Sequence, residues 1–241
     1  SDGDAFMLKI EHSDILNSRT QSSGYLDRDP NWDEPTNFKT NHEINQYNAG
    51  RTFDWYDYMT TDNPYTTQHN LSISNSTESN NYYVSLGYTD QTGHMRDEYY
   101  SRVNGRINLS TSVTEWFDFD VQSLMSLSEY GPQIFGLGDR FMEPYATPYD
   151  ENGVLVDRPT GNQINPFYEE TADTQDKRLN LNASLTATIF LPIEGLDYKL
   201  RFGNNYLSNR QFEFRSFGAD FTGNGFKRNE VQYTWSLDNI L

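Results

Sequence analysis

RLNLNASLTATIF, Arg178 to Phe190, decides how this chain is read. Leu179, Leu181, Ala183, Leu185, Ala187 and Ile189 alternate with Asn180, Asn182, Ser184, Thr186 and Thr188. Successive side chains on a strand point to opposite faces, so this is a two-faced β-strand. It outruns the usual strand of about 5–6 residues. A strand this long, apolar on one face and polar on the other, needs two different neighbours.

The same period recurs. Asn81 to Asp90 sets Tyr82, Val84, Leu86 and Tyr88 against Tyr83, Ser85, Gly87 and Thr89. Tyr99 to Thr111 sets Val103, Ile107 and Leu109 against Arg102, Asn104, Arg106 and Asn108. Trp116 to Ser128, Leu196 to Asn209 and Asn229 to Leu241 alternate likewise, and His69 to Asn75 adds a shorter run with Leu71 and Ile73. Seven antiparallel strands are therefore predicted over 68–241.

The predicted connections alternate in length. Those at 76–80, 112–115 and 191–195 are short; those at 89–98, 129–175 and 210–228 are longer. Tight turns at one end and long loops at the other are the asymmetry of an outer-membrane β-barrel. Such a barrel needs about 9–11 residues to cross the hydrocarbon core. An Arg facing lipid at the midplane costs about 2–4 kcal/mol, and Arg102, Arg106, Arg178 and Arg201 all fall on the polar face. Centring the 112–115 turn on Val113 sets Arg106 opposite Asp120 and Ile107 opposite Phe119. Alternation alone is shared by a soluble β-sandwich, whose apolar face meets a protein core. Strand length and loop asymmetry favour lipid.

Composition narrows the field. The 241 residues hold 35 acidic and 18 basic side chains, a net charge of −17. Nucleic-acid binding wants a basic surface, so no such partner is expected. With no cysteine there is neither a disulfide framework nor a thiolate metal site. The opening SDGDAFMLKI lacks the basic start and apolar run of a signal peptide. Residues 1–67 form a polar segment with one alternating run, Ala5 to His12, a candidate further strand. Glu34 to Gly50 reads as a short helix stopped by Gly50.

Chemical motifs are few. Asp27, Asp29, Asn31 and Asp33 place oxygens like the start of a calcium loop, but Trp32 and Phe38 stand where Gly and Glu are required. A solvated acidic loop is the plainer reading. His12-Ser13-Asp14 are neighbours rather than a spatial triad. Gly136-Leu137-Gly138 lacks the Lys of a phosphate loop. Asp118 and Asp120, a conceivable glycosidase pair, share a face with Arg102 and Arg106 and read as wall charges. No enzyme, cofactor or metal is expected. The long loop carries Tyr130, Phe135, Phe141, Tyr145, Tyr149, Phe167 and Tyr168. These are the candidates for contact with a solute or partner; self-packing of the loop is the plain alternative.

DWYDYM (Asp54 to Met59) and QHNLSISNSTESNNYYVSLGYTDQTG (Gln68 to Gly93) resemble the barrel start of SusC/RagA-type TonB-dependent transporters. SRVNGRINLSTSVTEWFDFDVQS (Ser101 to Ser123), EPYATPYDENGVL (Glu143 to Leu155), NPFYE (Asn165 to Glu169) and LDYKLRFGNNYLSNRQ (Leu196 to Gln211) resemble that family in the same order. The resemblance implies a segment of a 22-stranded plugged barrel in the bacterial outer membrane. It also implies import of glycans or peptides, a SusD-like surface lipoprotein partner and energy from TonB acting through parts of the chain missing here. An open sheet in lipid leaves edge N–H and C=O groups unpaired at several kcal/mol each, so the chain is read as a fragment. A soluble β-rich carbohydrate-binding module is the alternative.

Overall fold

The computed structural model describes residues 40–132, 142–215, 217–218 and 221–241. The chain divides into two compact units. One comprises Ser1–Asp62, Gln133–Ala172 and Arg215–Asn224; the other comprises Asn63–Pro132, Asp173–Phe214 and Gly225–Leu241.

The second unit is a single antiparallel sheet. Its strands are β1 (Tyr65–Ser76), β2 (Asn80–Thr92), β3 (Tyr99–Thr114), β4 (Phe117–Tyr130), β5 (Asp173–Phe190), β6 (Asp197–Phe214) and β9 (Gly225–Ile240). The short β7 (Phe217–Gly218) and β8 (Phe221–Thr222) pair with each other in the first unit. The seven strands lie in chain order, β1-β2-β3-β4-β5-β6-β9. No pairing joins β1 to β9, so the sheet is open. Strands this long, each hydrogen-bonded only to its neighbours in sequence, are what an up-and-down barrel wall requires.

Register fixes the faces. One cross-strand row reads Leu71, Leu86, Gly105, Met125, Leu181, Tyr206 and Tyr233. An adjacent row on the other face reads Asn70, Gly87, Asn104, Ser126, Asn180, Leu207 and Gln232. A few residues break the pattern. Ser123, Asn204 and Ser208 fall on the apolar face, and Leu124 and Leu207 on the polar one.

The expected Arg106–Asp120 pairing is wrong. Arg106 lies opposite Leu124, Ile107 opposite Ser123, and Asp120 opposite Ser110, whose hydroxyl donates to its carboxylate. The hairpin turns at residues 115–116, and Val113 is left over as a bulge between Ser112 and Thr114. The slip is an even number of residues, so every side chain keeps its face.

The long connections are shorter than alternation suggested. β4 runs to Tyr130, β5 starts at Asp173, β6 runs to Phe214 and β9 starts at Gly225. A charged row explains the error: Asp90, Ser101, Glu129, Lys177 and Arg210 sit on the apolar face just beyond Val103 and Leu127. Lys177 pairs with Glu129 at 3.3 Å. From there outward polar residues such as Thr174, Gln175 and Asp176 stand on both faces, and the period-2 signal vanishes while the hydrogen-bond ladder continues.

Among the described residues the first unit has two α-helices, α1 (Asn41–Asn48) and α2 (Trp55–Met59). Thr40 and Glu43 form the capping box that starts α1: Glu43 N–H donates to Thr40 Oγ1 and Thr40 N–H to Glu43 Oε2. Gly50, at φ +63°, turns the chain after α1, its N–H donating to Tyr47 O at 2.9 Å. Asp54 caps α2 by accepting from Tyr56 N and Asp57 N. Ala5–His12 and residues 34–39 lie outside the described residues.

Candidate functional site

In the middle of the sheet the apolar face is the more exposed one, the reverse of a soluble protein, while β1 and β9 are exposed on both faces. On the apolar face Leu86 is 58% exposed, Met125 45% and Val103 38%. On the polar face Thr89, Ser128 and Thr188 are below a tenth. Large exposed apolar patches mark contact with something apolar, and here one covers a whole sheet face. Five successive rows from Val103 to Thr111, plus the row of Phe117, Ile189 and Tyr198, make that band. At about 3.4 Å per residue and a tilt of about 40°, it is about 26 Å tall. Aromatic residues run through the band, from Tyr88 at one end through Tyr206, Trp235, Tyr82 and Phe202 to Phe117 and Tyr198 at the other.

The polar face carries a ladder of amides, hydroxyls and charges. At its loop end Arg178 grips Asp176 through Nε (3.1 Å) and an Nη (2.8 Å), and lies 4.3 Å from the Tyr130 ring centroid. Gln211 donates to the same carboxylate, and Tyr100 packs on Tyr130 at 4.9 Å. Tyr130 is thus a wall residue fixed from both sides. At the turn end lies a cavity of about 580 Å³ whose lining includes Ser74, Asn81, Tyr83, Asn108, Asp120 and Gln122. Asp118 and Asp120 belong to that end, apart from Arg102 and Arg106.

The other loop aromatics belong to the first unit. Phe167 stacks on Tyr58 (4.4 Å, 8° between planes) and touches Phe53, Trp55 and Tyr149. Trp55 is buried and donates Nε1–H to Ala146 O at 3.1 Å. Tyr145 is buried edge-on against Tyr47. Asn165, fully buried, donates to Pro148 O and Val156 O and accepts from Phe167 N. Tyr145 is therefore core, Phe167 is half-buried within the aromatic cluster, and Tyr149 is 44% exposed. Tyr168 donates to Asp157 at 2.5 Å, which pushes its phenol up to about 12. Backbone N–H groups of Val154 and Asn152 hold the Asp150 carboxyl below the usual range. Phe135, Phe141 and the calcium candidates Asp27, Asp29, Asn31 and Asp33 lie outside the described residues.

Two features escaped the sequence reading. The first is the aromatics in and just before α2, Phe53, Trp55 and Tyr58, which meet Phe167 from far along the chain. The second is Glu43, buried to 1% exposure and hydrogen-bonded to Glu143. Burial, reinforced by the Glu143 charge, raises the Glu43 carboxyl to about 7. The Thr40-x-x-Glu43 spacing announced a helix cap and gave no hint of the second carboxyl.

No protein-family model matches this chain, and no curated protein matches it. Solved structures do. The chain is similar to the RagAB peptide transporter at 24% identity and TM-score 0.61, over 79% of this chain and 23% of that one. It is similar to the RagAB peptide importer in the 'open-open' state at 21% identity and TM-score 0.64, over 94% and 28%. For the 'closed-closed' state the values are 24% and 0.58, over 78% and 23%. The chain spans about a quarter of the length of these relatives. With its open seven-stranded sheet, it has the fold of a β-barrel segment of the kind those transporters contain.

Proposed function

We propose that this chain is a wall segment of a SusC/RagA-type, TonB-dependent importer in the bacterial outer membrane. The apolar face meets acyl chains and the polar face borders a hydrated lumen. The inverted burial of the two faces carries this reading. A sandwich core would bury Val103 and Leu200, yet both are more than a third exposed. The charged row at Asp90, Glu129 and Lys177 then marks where the bilayer ends and the strands continue outside.

The likeness to a peptide importer supports transport as the role, with glycans or peptides as solutes. The two-component RagAB naming supports a SusD-like lipoprotein as partner. In this role the chain guides and contacts solute without chemistry of its own, and Tyr149 and Tyr130 are contact residues.

The test is fractionation of the intact protein with growth of a deletion strain. The protein is expected in the outer membrane, extracted only by detergent, and its loss is expected to abolish uptake of a peptide or glycan. Recovery as a detergent-free soluble monomer would refute the reading and favour a carbohydrate-binding module.

A further inference from the structure

The polar face is chemically uneven. Arg102 and Arg106 stand on it four residues apart along β3, about 14 Å by strand rise. Neither has a hydrogen-bond or ion-pair partner among the described residues. The Asp120 row lies another four residues toward the turn, opposite Ser110. That distance, again about 14 Å, exceeds the screening length of about 8 Å at physiological salt. Asp120 therefore does not neutralise Arg106, and at the loop end the Asp176 carboxylate pairs with Arg178 but not with Arg102.

Beside Arg102 the surface is built. Arg102, Ser128 and Arg178 form one cross-strand row. The two arginines flank a buried hydroxyl across two strand spacings, about 10 Å. Asp176 and Tyr130 hold the Arg178 guanidinium in place through Nε, one Nη and its face, leaving its other Nη group uncommitted. Two arginines on either side of one hydroxyl in a single row suit a planar anion, since forked N–H donors match carboxylate oxygens.

We propose that Arg102, Ser128 and Arg178 form a lumen-wall site for a carboxylate carried by the solute. The proposal rests on the transporter reading and narrows its substrate class. The carboxylate comes either from an acidic peptide or from a uronate-bearing oligosaccharide.

The experiment uses the intact protein in detergent or lipid. Affinity is measured for a short labelled peptide with one Glu against its Gln counterpart, and for a uronate oligosaccharide against its neutral counterpart. The wild type is expected to prefer one acidic probe about tenfold, with the preference falling as salt rises. Arg102→Gln is expected to bring the ratio toward one, whereas Arg106→Gln, about 14 Å away along β3, is expected to leave it in place. Arg102→Lys, which keeps charge and stem, is expected to retain part of the preference and guards against a folding defect. Which pair shows the ratio identifies the source of the carboxylate. A wild-type ratio of one for both pairs, or a ratio unmoved by Arg102→Gln, overturns the proposal and leaves transport of neutral solute standing. Failure to bind any probe of either class overturns both readings.

Discussion

An arginine scanned down the apolar face should report depth in the bilayer. Along β3 the apolar band runs from the row of Val103 to the row of Phe117, with its centre between Ile107 and Leu109. Each residue climbs about 2.6 Å along the membrane normal, from a rise of about 3.4 Å at a tilt of about 40°. Ile107 then lies within about 3 Å of the midplane and Val103 about 13 Å from it. Ile107→Arg should cost about 2–4 kcal/mol, and Val103→Arg about 0–1. Asn108→Arg, one residue along and on the opposite face, should cost almost nothing in a wet lumen. The assay is equilibrium denaturant unfolding of the intact protein in phospholipid vesicles, followed by tryptophan fluorescence. If the protein were soluble, Ile107, half exposed in this structure, would tolerate Arg within about 0.5 kcal/mol. Equal costs at Ile107 and Asn108, or none at Ile107, would refute the assignment of the two faces.

Other outcomes follow from single residues. Asn204 sits on the apolar face in the row of Ile107, its Oδ1 buried and without a partner among the described residues. Asn204→Leu should stabilise the protein by about 1–2 kcal/mol in the same unfolding assay. Glu43 keeps its proton to about pH 7 when folded, against 4.5 as the ordinary value. Its contribution is fully present below about pH 4.5 and is lost as pH rises to about 7, on the order of 3 kcal/mol. Glu43→Gln should flatten that slope, read as hydrogen-exchange protection of the α1 amides at pH 5 and pH 8. Asn165→Ala strips the donors from two carbonyls, those of Pro148 and Val156, and should cost about 2–4 kcal/mol, seen as faster exchange near Phe167. At Gly195, φ is +80° and a Cβ would meet nothing within 4 Å. Gly195→Ala should therefore cost only the backbone term, about 1 kcal/mol.

The strands could be read because a sheet with two unlike faces writes its period into sequence. Arg178 to Phe190 shows this without interruption. The reading failed where physics removes the contrast. Past the row of Asp90, Glu129 and Lys177 polar residues stand on both faces, so the ends of β4, β5 and β6 carry no alternation. Register failed at the β3–β4 hairpin because the bulged Val113 moves the turn, and a bulge is set by local backbone geometry more than by composition. Among the contact candidates, Tyr130 read as a loop residue; its place at the end of β4 and its clamp by Arg178 depend on pairing across β4 and β5. Tyr145 and Phe167 looked like free loop aromatics because their partners, Tyr47, Phe53 and Tyr58, come from distant sequence.

The bulge at Val113 bears on how such a wall can change by descent. A codon gained or lost inside a strand would swing every later side chain of that strand through the sheet, greasing the pore and wetting the lipid side. Beside a hairpin that already accommodates one surplus residue, the same event changes only the turn. Length variation among descendants of this gene should therefore collect at the turns and loops, and inside the ladder should come in pairs.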